Sequence, residues 1–233
     1  MRADSDAVAL IPAFREERFI GDVVRRALPF VSQVVVVDDG SPDRTAVMAE
    51  EAGAMVLRHS ANAGKGAALQ TGFRWVMGQG IERVICLDGD GQHAPEEMPR
   101  FLEGTEEALI IGNRMADTSE MPRVRYWTNR IMSGMISGVC GQSVPDTQCG
   151  YRLLDAELLP AMFLKSSAFD YETEMLFAAA LLGKKIGNVP VSTIYGEETS
   201  KIRPVRDALK FFKLLRHYRG EFRRRRHAGN LNI

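Results

Sequence analysis

Short apolar runs alternate with segments of helical periodicity along the first half of the chain, and this alternation constrains the fold more strongly than any other feature. The runs that read as strands lie at residues 8–12, 34–37, 54–57, 83–87 and 109–112. The amphipathic patterns between them cover residues 16–30, 44–52 and 65–77. Strands that are apolar on both faces are typical of a parallel sheet covered by helices on both sides. The sequence therefore predicts an α/β fold with a mostly parallel, Rossmann-like sheet flanked by helices.

The second half of the chain follows a different pattern. The predicted elements there are helices over residues 124–141 and 171–182, a strand over 185–195 and a final helix that begins at Pro204. The chain has 233 residues and shows no internal repeat, low-complexity tract or linker. A length of this order suits one domain with a substantial core. We therefore expect a single domain over residues 1–203, followed by a C-terminal helix and tail over 204–233.

Acidic residues cluster where two of the predicted strands end. Asp38 and Asp39 follow the second strand, and Asp88 and Asp90 follow the fourth. Ligands of parallel α/β sheets bind beyond the carboxyl ends of the strands. Side chains two residues apart on extended chain point the same way, so Asp88, Asp90 and the amide of Gln92 offer oxygen ligands suited to Mg²⁺ or Mn²⁺. A simple turn at the end of the strand is the alternative interpretation.

Charge is unevenly distributed along the chain, although Lys and Arg balance Asp and Glu at 30 each. Residues 203–226 hold ten basic and two acidic side chains, so the preceding body is acidic and is not expected to bind nucleic acid. An apolar stripe runs along the same segment through Ala208, Phe211, Phe212, Leu215, Tyr218 and Phe222. Two interpretations are open: the helix lies on anionic lipid, or its stripe packs on the body.

Cysteine usage and hydropathy bear on the compartment. Cys86, Cys140 and Cys149 are scattered and odd in number, which argues against a disulfide framework and favours a reducing cytoplasm. No apolar stretch resembles a signal peptide or is long enough to span a bilayer. We therefore expect a cytoplasmic protein whose membrane contact, if it has one, is peripheral and at the inner face.

Seven motifs, in order, resemble the family 2 inverting glycosyltransferases of the GT-A fold, and among them the polyprenyl-phosphate glycosyltransferases, which include dolichyl-phosphate glucose and mannose synthases. The motifs are IPAFRE at 11–16, VVDDGSPD at 36–43, NAGKGA at 62–67, DGDGQH at 88–93, GNR at 112–114, DTQCGYR at 146–152 and SK at 200–201. The resemblance implies a metal-dependent enzyme that moves a hexose from UDP-glucose or GDP-mannose to polyprenyl or dolichyl phosphate. It also implies a nucleotide-sugar half at about 7–115 and an acceptor half at about 116–203.

The resemblance implies roles for individual residues on the donor side. The residues implied to bind the nucleotide sugar are Pro12, Phe14, Glu16, Asp38, Asp39, Lys65, Gly66, Asp88 and Gly89. Asp88, Asp90 and Gln92 are implied to hold Mg²⁺ or Mn²⁺ against the departing diphosphate, with His93 orienting that shell. The turn at 62–66 lacks the glycine spacing of a Walker motif, and a simple turn at a helix start is an equal interpretation of it.

On the acceptor side the resemblance is less complete. The implied catalytic residues are Asp90, Arg114, Lys201, Asp146 and Asp170, and the implied acceptor-phosphate residues are Arg114, Asn129, Arg130, Ser133 and Lys201. Mannose synthases carry an arginine where this chain has Asn129, so Arg130, Arg123 or Arg125 can substitute for it. Asp146, Asp170 and Glu172 are candidates for positioning the acceptor or for acting as a base. A phosphate monoester, whose second pKa is about 6, needs no base at neutral pH.

Other functions fit parts of the sequence. Transfer to a soluble or glycan hydroxyl would require a carboxylate base such as Asp146 or Asp170. A nucleotidyltransferase would carry a glycine-rich basic loop after the first strand, where this chain has AFRE at 13–16. A non-catalytic nucleotide-binding module is a third class. Cys149 is interpreted as structural because no histidine motif accompanies it. A homodimer is a further expectation.

Overall fold

The computed structural model describes residues 6–103, 107–162, 171–194 and 204–227, and in the last helix it describes the side chains of residues 211–225. Within these ranges one sheet holds β1 Ala7–Ala13, β2 Gln33–Asp38, β3 Met55–Arg58, β4 Arg83–Cys86, β5 Leu109–Asn113, β6 Arg152–Asp155 and β7 Ile186–Pro190. The strand order is β3-β2-β1-β4-β6-β5-β7, and β6 runs antiparallel to β4 and β5 while the remaining pairs are parallel. The predicted single-domain α/β fold with a mostly parallel sheet is confirmed.

The helices are α1 Ile20–Ala27, α2 Thr45–Glu51, α3 Lys65–Gly78, α4 Met98–Leu102, α5 Arg123–Cys140, α6 Tyr171–Leu181 and α7 Pro204–His227. The helix expected over 16–30 is shorter, because the loop before it contains Arg15 at a φ of 63° and because Pro29 converts its end into a 3-10 turn. The strand expected over 185–195 ends at Pro190, which is opposite the last residue of β5, Asn113.

The central strands are buried on both faces, as their composition predicts. Every residue of β1 is buried, and Val34–Val37 of β2 are fully enclosed. Burial of one such valine side chain contributes about 1.5 kcal/mol or more. The helix α3 closes tightly on β1, because a Cβ at Gly72 would lie 2.2 Å from Cδ1 of Leu10. A glycine at that position therefore lets helix and sheet meet.

The helix α7 packs on the body of the protein. Phe211, Leu215, Tyr218 and Phe222 are buried. The ring of Phe177 in α6 stacks on Tyr218 at a centroid distance of 4.5 Å. Over the described side chains, these four members of the stripe therefore pack on the body, which favours that interpretation, whereas Phe212 is 55% exposed. Membrane contact through the basic side of this helix stays a prediction. In the part of the chain that the structure describes, no helix combines the length and the apolarity needed to cross a bilayer.

The direction in which successive strands are added to the sheet reverses at β1. The strand β2 lies on one side of β1 and β4 lies on the other, and all three are parallel. Their carboxyl ends therefore open at the same edge of the sheet, where a crevice forms between the outgoing loops. That edge receives the residues after Ala13, Asp38 and Cys86.

Candidate active site

The loops after β1 and β2 are tied to each other at this edge. The amide of Arg15 donates to Ser41 Oγ at 3.0 Å, and the amide of Glu16 donates to Thr45 Oγ1 at 2.8 Å. The guanidinium of Arg15 lies over the ring of Phe14, 5.2 Å from its centroid. Pro12 is buried, Phe14 and Glu16 are half-buried, and all three lie at this edge of the sheet; their contact with the nucleoside stays a prediction.

Asp39 organises the loop that precedes α3. Its Oδ1 accepts from the amide of Ala63 at 2.9 Å, its Oδ2 accepts from the amide of Gly64 at 2.7 Å, and Nδ1 of His59 lies 2.7 Å from Oδ1. Asp38 accepts from the amide of Ser41 at 3.2 Å. Both carboxylates are buried, so they shape the loops around the crevice. Sequence reasoning missed His59, which lies outside every recognised motif.

Two predicted donor glycines serve packing in the described structure. A Cβ at Gly89 would lie 3.2 Å from Cδ1 of Ile20 and 3.4 Å from Cγ2 of Ile11. Gly66 is buried in the first turn of α3. The absence of a side chain at Gly89 therefore lets the loop after β4 rest against β1 and α1. Their predicted contact with the nucleotide sugar stays a prediction.

Lys65, the first residue of α3, bridges two carboxylates. Its Nζ lies 2.5 Å from Asp88 Oδ1 and 2.6 Å from Glu172 Oε1. Burial opposes the charged form of Lys65, but the charges of Asp88 and Glu172 outweigh it and raise the pKa of the lysine. Burial likewise opposes ionisation of Asp88, yet the charge of Lys65, with those of His93 and Arg114, lowers the pKa of the carboxyl to about 2. The pair is therefore fully ionised at neutral pH.

The acidic pair lies on a turn and not on extended chain. The strand β4 ends at Cys86, and Gly91 adopts a φ of 77°. The amide of Gln92 donates to Asp90 Oδ1 at 3.0 Å. The premise of the expected alignment of Asp88 with Asp90, a strand that continues through both carboxylates, does not hold, because β4 ends at Cys86 and residues 89–90 lie in a turn.

The chemistry of these donors fits a hard divalent cation. Asp88 is ionised, Asp90 and Gln92 are half-buried in the same turn, and carboxylate and amide oxygens are the ligands that Mg²⁺ and Mn²⁺ prefer. In the described ranges no group of three or more His, Cys, Asp or Glu side chains is arranged to hold a metal ion. The set of two carboxylates and one amide stays a prediction.

His93 is buried behind the turn. Its Nδ1 accepts from the amide of Asp88 at 3.2 Å, and its Nε2 lies 3.9 Å from Cys149 Sγ. Burial lowers the pKa of His93 to about 4 and raises the pKa of Cys149 to about 12. A histidine thus does accompany Cys149, but the thiol is protonated, which supports its structural interpretation.

Arg114 and Asp146 form a buried, bidentate ion pair. Nε of Arg114 donates to Asp146 Oδ2 at 2.7 Å, and Nη2 donates to Oδ1 at 3.0 Å. The backbone amide of Arg114 also donates to Oδ2, at 3.1 Å. Burial alone would raise the pKa of Asp146, but the hydrogen bonds and charge of Arg114 lower it. A fully enclosed carboxylate with a lowered pKa is a poor base, so the geometry disagrees with the expected role of Asp146 in proton abstraction.

Asn129 and Ser133 face inward from α5 and complete this network. Nδ2 of Asn129 donates to Asp146 Oδ1 at 2.8 Å, and Ser133 Oγ donates to Asn129 Oδ1 at 2.8 Å. The amide of Thr147 donates to Ser133 Oγ at 3.0 Å. Both side chains are buried, so they hold the loop of Asp146 and do not present an open surface to an acceptor phosphate. Arg130 lies on the exposed side of α5.

Arg152 is a structural centre that sequence reasoning did not single out. It is buried and donates to three carbonyl oxygens: Cys149 at 2.8 Å, Thr147 at 2.9 Å and Glu172 at 2.5 Å. These bonds fasten the loop at 146–152 to the first turn of α6. Arg152 is the last residue of the motif at 146–152, but its role could not be predicted because its partners are backbone carbonyl groups, one of them in α6.

The structure brings several predicted residues into one place. Pro12, Lys65 and Asp88 line a small cavity together with Gly150, Arg152 and Glu172. Arg114 is close enough to lower the pKa of both Asp88 and His93 by its charge. Lys201 and Asp170 lie outside the described residues. Thus Asp88 and Glu172 line this cavity with Lys65 and Arg152, and Arg114 lies within electrostatic reach of it.

Comparisons with known proteins identify the family of the chain. Residues 8–163 match the model of Glycosyl transferase family 2, and the chain belongs to that family. It is 32% identical to the undecaprenyl-phosphate mannosyltransferase of Micrococcus luteus over 82% of this chain and 84% of that protein. It is 28% identical to the UDP-N-acetylglucosamine–dolichyl-phosphate N-acetylglucosaminyltransferase of Methanococcus voltae, over 84% and 88% respectively. The predicted resemblance to polyprenyl-phosphate sugar transferases is confirmed.

Solved structures show the same fold. The glucosyl-3-phosphoglycerate synthase of Mycobacterium tuberculosis in complex with UDP superimposes with a TM-score of 0.66 at 21% identity, over 94% of this chain and 81% of that one. The same enzyme has been crystallised with Mn²⁺ and UDP. The fold is therefore of the GT-A type, and the chain is a glycosyltransferase. Family membership decides against the nucleotidyltransferase and non-catalytic alternatives.

Proposed function

We propose that this glycosyltransferase moves a hexose from a nucleoside diphosphate sugar, UDP-glucose or GDP-mannose, to a polyprenyl or dolichyl phosphate with inversion at the sugar. The observation that carries the proposal is that two cations, each held by a carboxylate, lie near the same edge of the sheet. Lys65 is held by Asp88 and Glu172, and Arg114 is held by Asp146. Both reactants are anionic at the reacting centre, so each requires a positioned cation.

The donor occupies the edge formed by β1, β2 and β4 in this proposal. Pro12, Phe14 and Glu16 contact the nucleoside, and the buried carboxylates of Asp38 and Asp39 keep the surrounding loops in shape. Lys65 approaches the diphosphate. A bound Mg²⁺ or Mn²⁺ would be held by Asp88, Asp90 and Gln92 and would offset the charge that develops on the leaving diphosphate.

The acceptor phosphate meets Arg114. Asp146 takes up Nε and Nη2 of this arginine, and we assign Nη1 to an oxygen of the acceptor. An acceptor oxygen forms the bond to the anomeric carbon while the bond from that carbon to the diphosphate breaks. A phosphate dianion needs no base, which agrees with the enclosure of Asp146. Arg130 and Lys201 stay predicted contributors to phosphate binding.

A surface on α5 supports a lipid acceptor. Val124, Trp127 and Ile131 are exposed by 80%, 57% and 58%, and their spacing of three and four residues aligns them along one side of the helix. Arg123 and Arg130 are exposed on the same half of the helix. Apolar side chains beside basic ones suit the interface of an anionic bilayer. We therefore propose that α5, instead of the stripe on α7, contacts the membrane.

The transfer experiment uses the full chain with Mn²⁺, polyprenyl phosphate and each of UDP-glucose, GDP-mannose and UDP-N-acetylglucosamine. Lipid-linked sugar, detected by mass spectrometry, is expected with one donor. Arg114→Ala should reduce its formation by about a hundredfold or more, since one charge-stabilising donor is lost, and Arg219→Ala on the exposed side of α7 is the matched control. Sugar transferred only to a hydroxyl acceptor would contradict the proposal.

The membrane experiment measures co-sedimentation with vesicles of phosphatidylglycerol and phosphatidylcholine. The double variant Trp127→Ser with Ile131→Ser is expected to lose binding, whereas Phe212→Ser removes an aromatic side chain that is 55% exposed on α7 and should bind like the wild type. With Trp75→Phe as background, a blue shift of Trp127 fluorescence on vesicle binding would report its entry into lipid. Equal binding by both variants would overturn the assignment to α5. A cytoplasmic location and a homodimer stay predictions.

A further inference from the structure

One carboxylate of the proposed metal set already holds a cation of the chain itself. Nζ of Lys65 is 2.5 Å from Oδ1 of Asp88 and 2.6 Å from Oε1 of Glu172. A divalent cation on the same carboxylate would lie within a few ångströms of the ammonium group. Repulsion between charges at such a distance is strong in a partly enclosed site. Metal and lysine therefore compete for Asp88 unless another anion enters.

The ion pair is built into the fold. A Cβ at Gly150 would lie 2.8 Å from Asp88 Oδ2 and 3.0 Å from Lys65 Nζ, so the pair occupies the space that a side chain would fill. Arg152 fastens the loop of Gly150 to the helix that carries Glu172, because it donates to carbonyl oxygens of both segments. Glu172 is thereby held where it can fix the ammonium group of Lys65.

We propose that Lys65 is an internal counter-ion of Asp88, held by Glu172, which makes tight binding of the divalent cation depend on a nucleoside diphosphate. Oxygens of the diphosphate replace Asp88 as the partner of the Lys65 ammonium group. Asp88 is then available to bind the metal. Lys65 and Glu172 are therefore positioning residues that couple metal binding to donor binding. The inference rests on the proposed donor site and adds an order of binding to it.

This coupling has a reciprocal consequence. If UDP tightens the binding of Mn²⁺ by some factor, Mn²⁺ must tighten the binding of UDP by the same factor. Part of that factor arises from the relief of repulsion between Lys65 and the metal. Removal of the lysine charge should therefore strengthen metal binding without nucleotide and reduce the coupling.

The test is a titration of the full chain with Mn²⁺, in which electron paramagnetic resonance measures the free ion. It is performed without nucleotide, with UDP and with GDP. Without nucleotide, Lys65→Met is expected to bind Mn²⁺ at least about tenfold more tightly than the wild type, because one unit of positive charge is removed beside Asp88. The ratio of Mn²⁺ affinities with and without the nucleotide that couples in the wild type should fall in this variant.

Three further variants serve as controls. Lys184→Met removes another paired lysine, whose Nζ lies 2.5 Å from Glu157 Oε1, and should bind Mn²⁺ like the wild type. Glu172→Gln leaves Lys65 on Asp88 and should bind Mn²⁺ no more tightly than the wild type. Asp88→Asn should lose most Mn²⁺ affinity in the presence of nucleotide. Circular dichroism verifies that each variant is folded.

Two outcomes would overturn the inference. One is a Lys65→Met protein whose Mn²⁺ affinity without nucleotide equals or falls below that of the wild type. The other is an unchanged ratio of affinities with and without nucleotide. The transfer assay is separate: absence of sugar-lipid would reject the proposed acceptor while the metal titration still supported the coupling. Unaltered Mn²⁺ binding by Asp88→Asn would reject the metal assignment and, with it, the inference.

Discussion

Two ion pairs face the same crevice, and they differ in exposure and support. In the pair of Lys65 and Asp88 the side chains are 44% and 29% exposed. In the pair of Arg114 and Asp146 they are 15% and 0% exposed, and Asn129 adds a hydrogen bond to the enclosed carboxylate. Partly exposed pairs contribute little to stability, whereas breaking a buried pair leaves a costly charge. The first pair can thus exchange partners with a ligand, and the second is a fixed support.

The largest expected effect comes from breaking the buried pair. Asp146→Asn leaves the guanidinium of Arg114 without its counter-charge and should lower the free energy of unfolding by about 3–5 kcal/mol. Asp88→Asn, the matched change in the exposed pair, should lower it by less than about 1 kcal/mol. Urea denaturation monitored by circular dichroism measures both. Similar losses in the two variants would remove the distinction between the pairs.

The next effect concerns the shape of the cation. Arg114→Lys keeps the charge but cannot make the two parallel bonds to Asp146, so the cation is no longer aimed at the proposed acceptor phosphate. Turnover should fall by about a hundredfold. Lys65→Arg is the reciprocal change and should be less harmful, because a point charge is what that position requires. Initial rates of sugar transfer compare the two; a larger loss in Lys65→Arg would contradict the expectation.

Gly112 and Gly150 lie next to the two ion pairs, and substitution of each by alanine compares how tightly the two surroundings are packed. A Cβ at Gly112 would lie 2.9 Å from Cγ2 of Val191 and 3.0 Å from Sγ of Cys149, which belong to the core. Gly112→Ala should therefore lower the free energy of unfolding by about 1–3 kcal/mol. The atoms nearest to a Cβ at Gly150 are the ends of the Asp88 and Lys65 side chains, which can move.

Gly150→Ala should consequently change thermal stability less than Gly112→Ala, while it separates Lys65 from Asp88 and weakens the coupling between UDP and Mn²⁺. Differential scanning calorimetry and the Mn²⁺ titration measure these two effects. Equal thermal destabilisation by both alanine variants would show that the exposed pair is as rigid as the core.

The smallest expected effect is a pH dependence of the buried pair. The pKa of Asp146 is lowered in the folded state, so below an unfolded-state pKa of about 3.9 the unfolded chain takes up more protons than the folded one. Stability from this carboxylate is therefore present above that pH and is lost as the pH falls through the folded-state pKa. The difference in unfolding free energy between the wild type and Asp146→Asn should narrow below about pH 4. Urea titrations from pH 7 to pH 3 test this, and a constant difference would contradict it.

Much of the fold could be predicted from the order of apolar runs. The strand predictions in the first half agree with β1 to β5 within one or two residues, because buried parallel strands need apolar side chains on both faces. The strand β6 has only four residues, and its sequence does not indicate that it runs antiparallel to β4 and β5. Periodicity also predicted the stripe of α7, but the same stripe serves either lipid or core, and only the neighbouring Phe177 distinguishes them.

The sequence indicated which residues belong to the candidate site better than it indicated what each of them contacts. The motifs identified Asp88, Arg114 and Asp146 as site residues, since acidic and basic residues at strand ends carry a recognisable pattern. Their partners were not predictable. Lys65 and Glu172 are 107 residues apart in the chain, and His93 and Cys149 are 56 apart. No local pattern reports such distant contacts.

The amino-acid order alone determined an α/β sheet with its ligands at the carboxyl edge, the family, and the residues that carry charge there, because these follow from periodicity and local motifs. Whether a given charge is free to meet a ligand depended on the folded chain. Asp146 and Asp88 look alike in sequence. Asp146 is enclosed by Arg114 and Asn129, whereas Asp88 is partly exposed and shares Lys65 with Glu172. Burial and the nearest counter-charge are properties of packing between distant segments, and they separate a support from a binding group.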